Sequence, residues 1–107
     1  MSSNLQLAPE ERALLERLLS EYLPGVKVWA YGSRVKGTAR PNSDLDLVVF
    51  AEESQRWAVA ELRDALAESD LPFKVDLHIW EDLPEPFHRQ IETEYVEVVG
   101  AGANRTE

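Results

Sequence analysis

Two short stretches hold residues whose types and spacing suit chemistry on phosphate. One is Gly32-Ser33-Arg34, and the other is Ser43-Asp44-Leu45-Asp46, which begins eleven positions later. If the second stretch opens a strand, Asp44 and Asp46 stand at i and i+2. Their side chains then share one face, with Cβ atoms roughly 6–7 Å apart. Two carboxylates so placed repel each other unless a cation sits between them, and hard oxygen donors of this kind suit Mg²⁺. In the earlier stretch, Gly32 lets the backbone approach a ligand closely, and Ser33 offers a hydroxyl and an amide at the start of a helical turn. Arg34 adds a planar donor fork for phosphate. Phosphate donors and metal-binding carboxylates on the ends of adjacent strands are what phosphoryl or nucleotidyl transfer requires.

The elements that must hold these residues follow from hydrophobic periodicity. Residues 8–23 read as an amphipathic helix with Leu14, Leu15, Leu18, Leu19 and Tyr22 on one face and Pro9 at its first position. Pro24-Gly25 stops it. Residues 26–31 alternate as a first strand, with Val26, Val28 and Ala30 facing one way and Lys27, Trp29 and Tyr31 the other. A connection over 32–43 with a short helical turn after Gly32 leads to a second strand over 44–50. Ser54 is the expected N-cap of a helix to about Ser69, burying Ala58, Leu62, Ala65 and Leu66. A third strand over 74–80 carries Asp76 and His78 on one face, and a last helix around Phe87 and Ile91 precedes a short strand with Val96, Val98 and Val99. Strands alternating with helices make this an α/β (α+β) chain, a small mixed sheet flanked by helices. Residues 1–99 form one domain on this reading, and 100–107 a flexible tail.

The combined motif Tyr31-Gly32-Ser33-Arg34-Val35-Lys36-Gly37 and Ser43-Asp44-Leu45-Asp46-Leu47 resembles the signature of the minimal nucleotidyltransferases, in the polymerase β-like nucleotidyltransferase superfamily. Asp76 in Val75-Asp76-Leu77-His78 matches the third aspartate of that pattern, and the resemblance runs over about residues 8–99. Val35 and Lys36 depart from it, standing where a small residue and arginine are commoner. The resemblance implies a palm-like fold in which Asp44, Asp46 and Asp76 are catalytic and ligate Mg²⁺, two ions in all. Asp76 could also take the proton from the acceptor hydroxyl. Gly32, Ser33, Arg34 and Lys36 would hold the triphosphate of ATP. Minimal members of this family are commonly antitoxins that adenylylate a tyrosine of a HEPN-domain ribonuclease toxin, so the resemblance implies that partner, a hetero-oligomer and a type VII-like antitoxin. Two other readings stand beside it: an antitoxin acting by contact alone, and a nucleotidyltransferase for small molecules such as antibiotics.

Composition narrows the remaining classes. Apolar residues make up 44% of the 107 and charged residues 29%, which argues against a disordered chain. Twenty acids against eleven bases give a net charge of −9, unsuited to holding polymeric nucleic acid by its phosphates. Yet Lys27, Arg34, Lys36 and Arg40 fall in residues 24–43, which contain no acid. That pattern points to a local anion site. With no cysteine, no apolar stretch long enough for a membrane span and no visible secretory signal, the expected address is the cytoplasm. Two histidines without cysteine make zinc improbable, and His88, four residues before Glu92, reads as half of a surface pair. Trp29, Trp57 and Trp80 read as core or interface, and the acidic residues from Glu81 to Glu97 as a solvated face or a docking surface for a basic partner.

Overall fold

Why each apolar run becomes a helix or a strand is visible in the computed structural model, which describes residues 5–100. Helix α1 spans Pro9–Tyr22 and begins where Pro9 supplies a helical φ and lacks the N–H that would go unpaired there. Glu11 Oε1 accepts the Ala8 N–H at 2.9 Å, which ties the chain entry to the first turn. Strand β1 is Val28–Tyr31, followed at once by the one-turn helix α2, Ser33–Lys36. Strand β2 is Leu45–Val49, helix α3 is Arg56–Ala67, and strand β3 is Val75–Ile79. Helix α4, Glu85–Thr93, and strand β4, Val96–Val99, complete the order.

The start of α3 differs from expectation. Ser54 does not cap it but sits inside a 3₁₀ turn, Glu53–Gln55. The Gln55 side chain reaches back to accept the Glu52 N–H at 2.7 Å, so the reciprocal cap forms at Glu52 and the helix starts at Arg56. Its buried face is Val59, Leu62 and Leu66, while Ala58 and Ala65 sit half-buried on the flank. Beyond Gly100, the tail expected over 100–107 lies outside the described residues.

The strands form one mixed sheet in the order β3-β2-β1-β4. β1 runs antiparallel to β2 and β4, and β2 runs parallel to β3. The helical connection α3 makes the parallel pairing possible, since two parallel strands need a crossover. One sheet face carries Val28, Ala30, Leu45, Leu47, Val49, Leu77 and Ile79, buried against Leu15 and Leu19 of α1 and Leu62 and Leu66 of α3. On β4 a bulge between the Val28 and Trp29 pairings inserts Val98. That shift lets Val99 as well as Val98 and Val96 pack toward the same core.

The opposite face is only partly covered. Trp29, Val48 and Ile91 form a second, smaller apolar cluster, by which α4 rests on the sheet. Trp29 stacks on Tyr95 at 3.8 Å and meets Phe50 and Trp80 edge-on. His88 does not pair with Glu92 across the helix surface. Its ring lies flat on Trp80 at 3.9 Å, and Nε2 is 2.7 Å from the Trp80 carbonyl oxygen, so stacking and a backbone partner win over an exposed ion pair. Trp57, by contrast, is 77% exposed, so the expectation of a core or interface residue is not met by core burial. No helix of the described residues is long and apolar enough to cross a membrane.

Candidate active site

The open end of the second sheet face is set by register. Tyr31 of β1 pairs with Asp46 of β2, and Asp46 pairs with Asp76 of β3. Three polar side chains therefore lie in one row across three adjacent strands, with neighbouring backbones about 4.8 Å apart. Strand alternation dictates this: Leu45 and Leu47 go into the core, so Asp46 must face the other way. Asp44, just before β2, keeps the same parity and is exposed. His78 follows Asp76 on the same face of β3.

Crowding of like charge is written into the protonation behaviour. Burial and then the nearby Asp76 and Asp44 carboxylates push the Asp46 carboxyl above the usual aspartate range, with His78 opposing them. The Tyr31 hydroxyl is pushed up to about 12, by burial first and then by Asp46 and Asp76. Lys74 Nζ stands 3.6 Å from Asp76 Oδ1, a solvent-exposed pair of small energetic weight. Among the described residues, no three acidic or imidazole side chains close into a metal cluster. The donor chemistry nevertheless fits Mg²⁺, which takes one or two carboxylates together with substrate phosphates. Burial and then the repulsion from Asp76 and Asp44 raise the Asp46 pKa, and a divalent cation held by these carboxylates would relieve the repulsive part.

Gly32 joins this row to α2. Its φ of +86° and ψ of −157° lie in a region open essentially to glycine alone, and the Asp46 carboxylate occupies the space a Cβ would need. Within the one-turn α2 the Val35 and Lys36 amides donate to the Gly32 carbonyl at 3.0 Å, and those of Ser33 and Arg34 come before the first intrahelical bond. Lys36, one turn further, is exposed and lines the same cavity as Gly32.

Arg34 corrects an expectation. Its side chain is 5% exposed and does not offer a fork to phosphate. Nε donates to the Ser43 carbonyl at 3.0 Å, Nη1 to that of Gln6 at 2.8 Å, and Nη2 to those of Pro41 at 3.0 Å and Arg40 at 3.4 Å. The guanidinium also lies over the Phe73 ring at 4.0 Å. Backbone carbonyls from two segments, Gln6 and residues 40–43, take up the planar fork of donors. Arg34 thereby fixes the loop that leads through Ser43 into Asp44. Arg40 stays exposed, its N–H donating to Ser43 Oγ at 2.8 Å.

Two members of the site were not singled out from sequence. Tyr31 was placed on the right strand face, but its pairing opposite Asp46 depends on β1–β2 register. The wall formed by α4 depends on how that helix docks. Between Tyr31, Gly32, Lys36 and His78 on one side and Leu83, Phe87 and Ile91 on the other lies a cavity of about 390 Å³.

Comparison with known proteins supplies the context for this geometry. The nucleotidyltransferase domain family matches residues 11–99. Over 95 residues the chain is 41% identical to the probable protein adenylyltransferase MntA of Haemophilus influenzae, covering 88% of this chain and 83% of that protein. Its fold is similar to that in a crystal structure of a mutant MntA–HpeT toxin–antitoxin complex. There the TM-score is 0.65 at 27% identity, over 90% of this chain and 75% of that one. A more distant likeness, of fold alone, is to a structure of a tri-AMPylated Shewanella oneidensis HEPN toxin in complex with an MNT antitoxin. In that case the TM-score is 0.55 at 19% identity, over 86% of this chain and 71% of that one.

Proposed function

The chain belongs to the nucleotidyltransferase domain family, and from that premise we propose that it transfers AMP from ATP to a hydroxyl of a partner protein, the bond between the α and β phosphates breaking to release pyrophosphate. The partner is a HEPN-domain toxin and the acceptor a tyrosine. The transfer makes this chain the antitoxin of a cytoplasmic pair, and the two proteins form a hetero-oligomer. The observation that carries the reading is the row Tyr31–Asp46–Asp76 beside Gly32. The names of the 41% identical relative and of the structural neighbours support the acceptor class.

In this reading Gly32, the Ser33 amide and hydroxyl, and Lys36 hold the distal phosphates, while Arg34 holds the loop behind them. Asp44, Asp46 and Asp76 would bind Mg²⁺, which supplies charge neutralisation to the phosphates and acidifies the acceptor hydroxyl. Asp76, on the edge strand β3, would accept the proton of the acceptor hydroxyl. Tyr31 keeps its proton at neutral pH and so can donate a hydrogen bond from its place in the row. The net charge of −9 disfavours polymeric nucleic acid as the acceptor.

The test is intact mass of the partner after incubation with this protein, ATP and Mg²⁺. Partner molecules heavier by one or more AMP units are expected. Asp44→Asn, Asp46→Asn and Asp76→Asn should each abolish the gain while the complex still assembles. If the triple variant still restores growth against the partner at the wild-type level, neutralisation is by contact and the enzymatic role is wrong.

A further inference from the structure

The cavity beside the carboxylate row is larger than catalysis by the aspartates requires. At about 390 Å³ it falls within the usual range for small-molecule sites. It is lined by Gly32 and Lys36 and by a wall of Phe87 and Ile91 from α4 together with Leu83, which precedes that helix. Ile91 is buried and anchors that wall on Val48 and Trp29. Phe87 is different: it is 50% exposed, and among the described residues it stacks on no other ring. Its neighbours Trp80 and His88 are already stacked on each other. The polar groups at this wall are the Gln90 amide and the Glu94 carboxylate.

We propose that this cavity holds the adenine of ATP, with Phe87 as the stacking surface and Gln90 as the group that reads the base edge. The proposal rests on the nucleotidyl-transfer reading of the neighbouring row. A nucleotide whose phosphates lie at Gly32 and Lys36 has its ribose and base within reach of a cavity lined by the same two residues. An amide presents a donor and an acceptor side by side, which matches the amino group and ring nitrogen of adenine. Glu94 offers only acceptors and repels the O6 of guanine. The acceptor protein is placed elsewhere, because Asp76 is on the edge strand and does not line this cavity.

The experiment is calorimetric titration of the full chain, with Mg²⁺, using ATP, GTP and inorganic tripolyphosphate. Wild type, Phe87→Ala and Gln90→Ala are compared, both substitutions being at exposed positions whose folding is checked by melting curves. Phe87→Ala should weaken ATP about tenfold and leave tripolyphosphate unchanged, since stacking is lost and phosphate contacts are kept. Gln90→Ala should reduce the preference for ATP over GTP. If wild type binds ATP and both variants bind it equally well, the base is not in this cavity. If the variants keep ATP affinity but raise the KM for the partner protein, the cavity serves the acceptor and the adenine assignment is overturned while the transfer reading stands. If wild type binds neither ATP nor tripolyphosphate, the transfer reading falls and takes this proposal with it.

Discussion

The Asp46 carboxylate lies where the side chain of any residue other than glycine at position 32 would have to begin. Two independent constraints therefore meet at Gly32: a backbone conformation that L-residues rarely adopt, and a catalytic-face carboxylate filling the space above it. Gly32→Ala should destabilise the fold by about 2–4 kcal/mol, from the backbone strain and the overlap together. Denaturant unfolding checks this. Adding Asp46→Gly should recover the overlap part and leave the backbone part. A melting curve for Gly32→Ala equal to wild type would refute the account.

Arg34 is the second test. Replacing it by alanine removes the guanidinium from the carbonyls of Gln6, Pro41 and Ser43, while that of Arg40 keeps the Ser43 N–H at 2.9 Å. The expected loss is about 3 kcal/mol or more in urea unfolding. Arg34→Lys should not restore it, because a single ammonium cannot reach carbonyls spread around a planar fork. A well-folded Arg34→Ala chain that has lost only triphosphate affinity would return this residue to the phosphate site.

Asp46 gives a pH signature. Its folded pKa lies above the ordinary aspartate value, so the protonated carboxyl is the form the fold prefers. Its contribution is complete at low pH and is lost as pH rises through the raised value. Asp46→Asn should therefore melt a few degrees above wild type near neutral pH, where about 1 kcal/mol moves a domain of this size by about 4–8 °C. The gap should close in acid. Mg²⁺ with ATP should raise the wild-type midpoint more than either alone and have little effect on Asp46→Asn. A variant that melts below wild type at every pH would contradict the repulsion described.

Tyr31 gives another. Of the three tyrosines, it should titrate near 12 when tyrosinate absorbance is followed, against an ordinary value of 10.0. A raised folded pKa means that its contribution is intact below 10 and is lost between 10 and about 12 as pH rises. Tyr31→Phe should flatten that part of the alkaline stability profile. Three tyrosines titrating together near 10 would contradict the placement of Tyr31 beside Asp46 and Asp76.

Most of the fold was legible because strand and helix periods are local properties. The parity of Leu45, Asp46 and Leu47 needs no partner to be read, and Pro9, Gly32 and Pro24-Gly25 punctuate the chain where the elements break. Arg34 was misjudged because its chemistry is ambiguous in sequence. A guanidinium beside Gly-Ser can face a phosphate or its own loop, and only the path of residues 40–43 decides. Ser54 lost the cap to a side chain three residues from Glu52, a competition between neighbours that residue type alone does not resolve. Tyr31 and the α4 wall required strand register and helix docking, which are non-local.

The sheet has one sealed face and one reactive face, and their separation by a single residue acts as a proofreading device for assembly. If β2 slipped by one position against β1 and β3, Asp46 would exchange places with Leu45 or Leu47 and press a carboxylate into the contacts of α1 and α3. Burying that charge unpaired costs several kcal/mol, a large part of the stability of a domain of about 100 residues. A slip by two would keep the parity but put Asp46 out of line with Tyr31 and Asp76, and would leave Leu45 or Val49 without a partner in the apolar layer. A chain that misaligns its aspartates therefore also fails to stay folded. Insertions and deletions inside β2 should be purged whatever their length, while the loop over 37–43, held mainly by hydrogen bonds to Arg34, Ser33, Ser43 and Gln6, can vary in length as long as its carbonyls still reach the guanidinium.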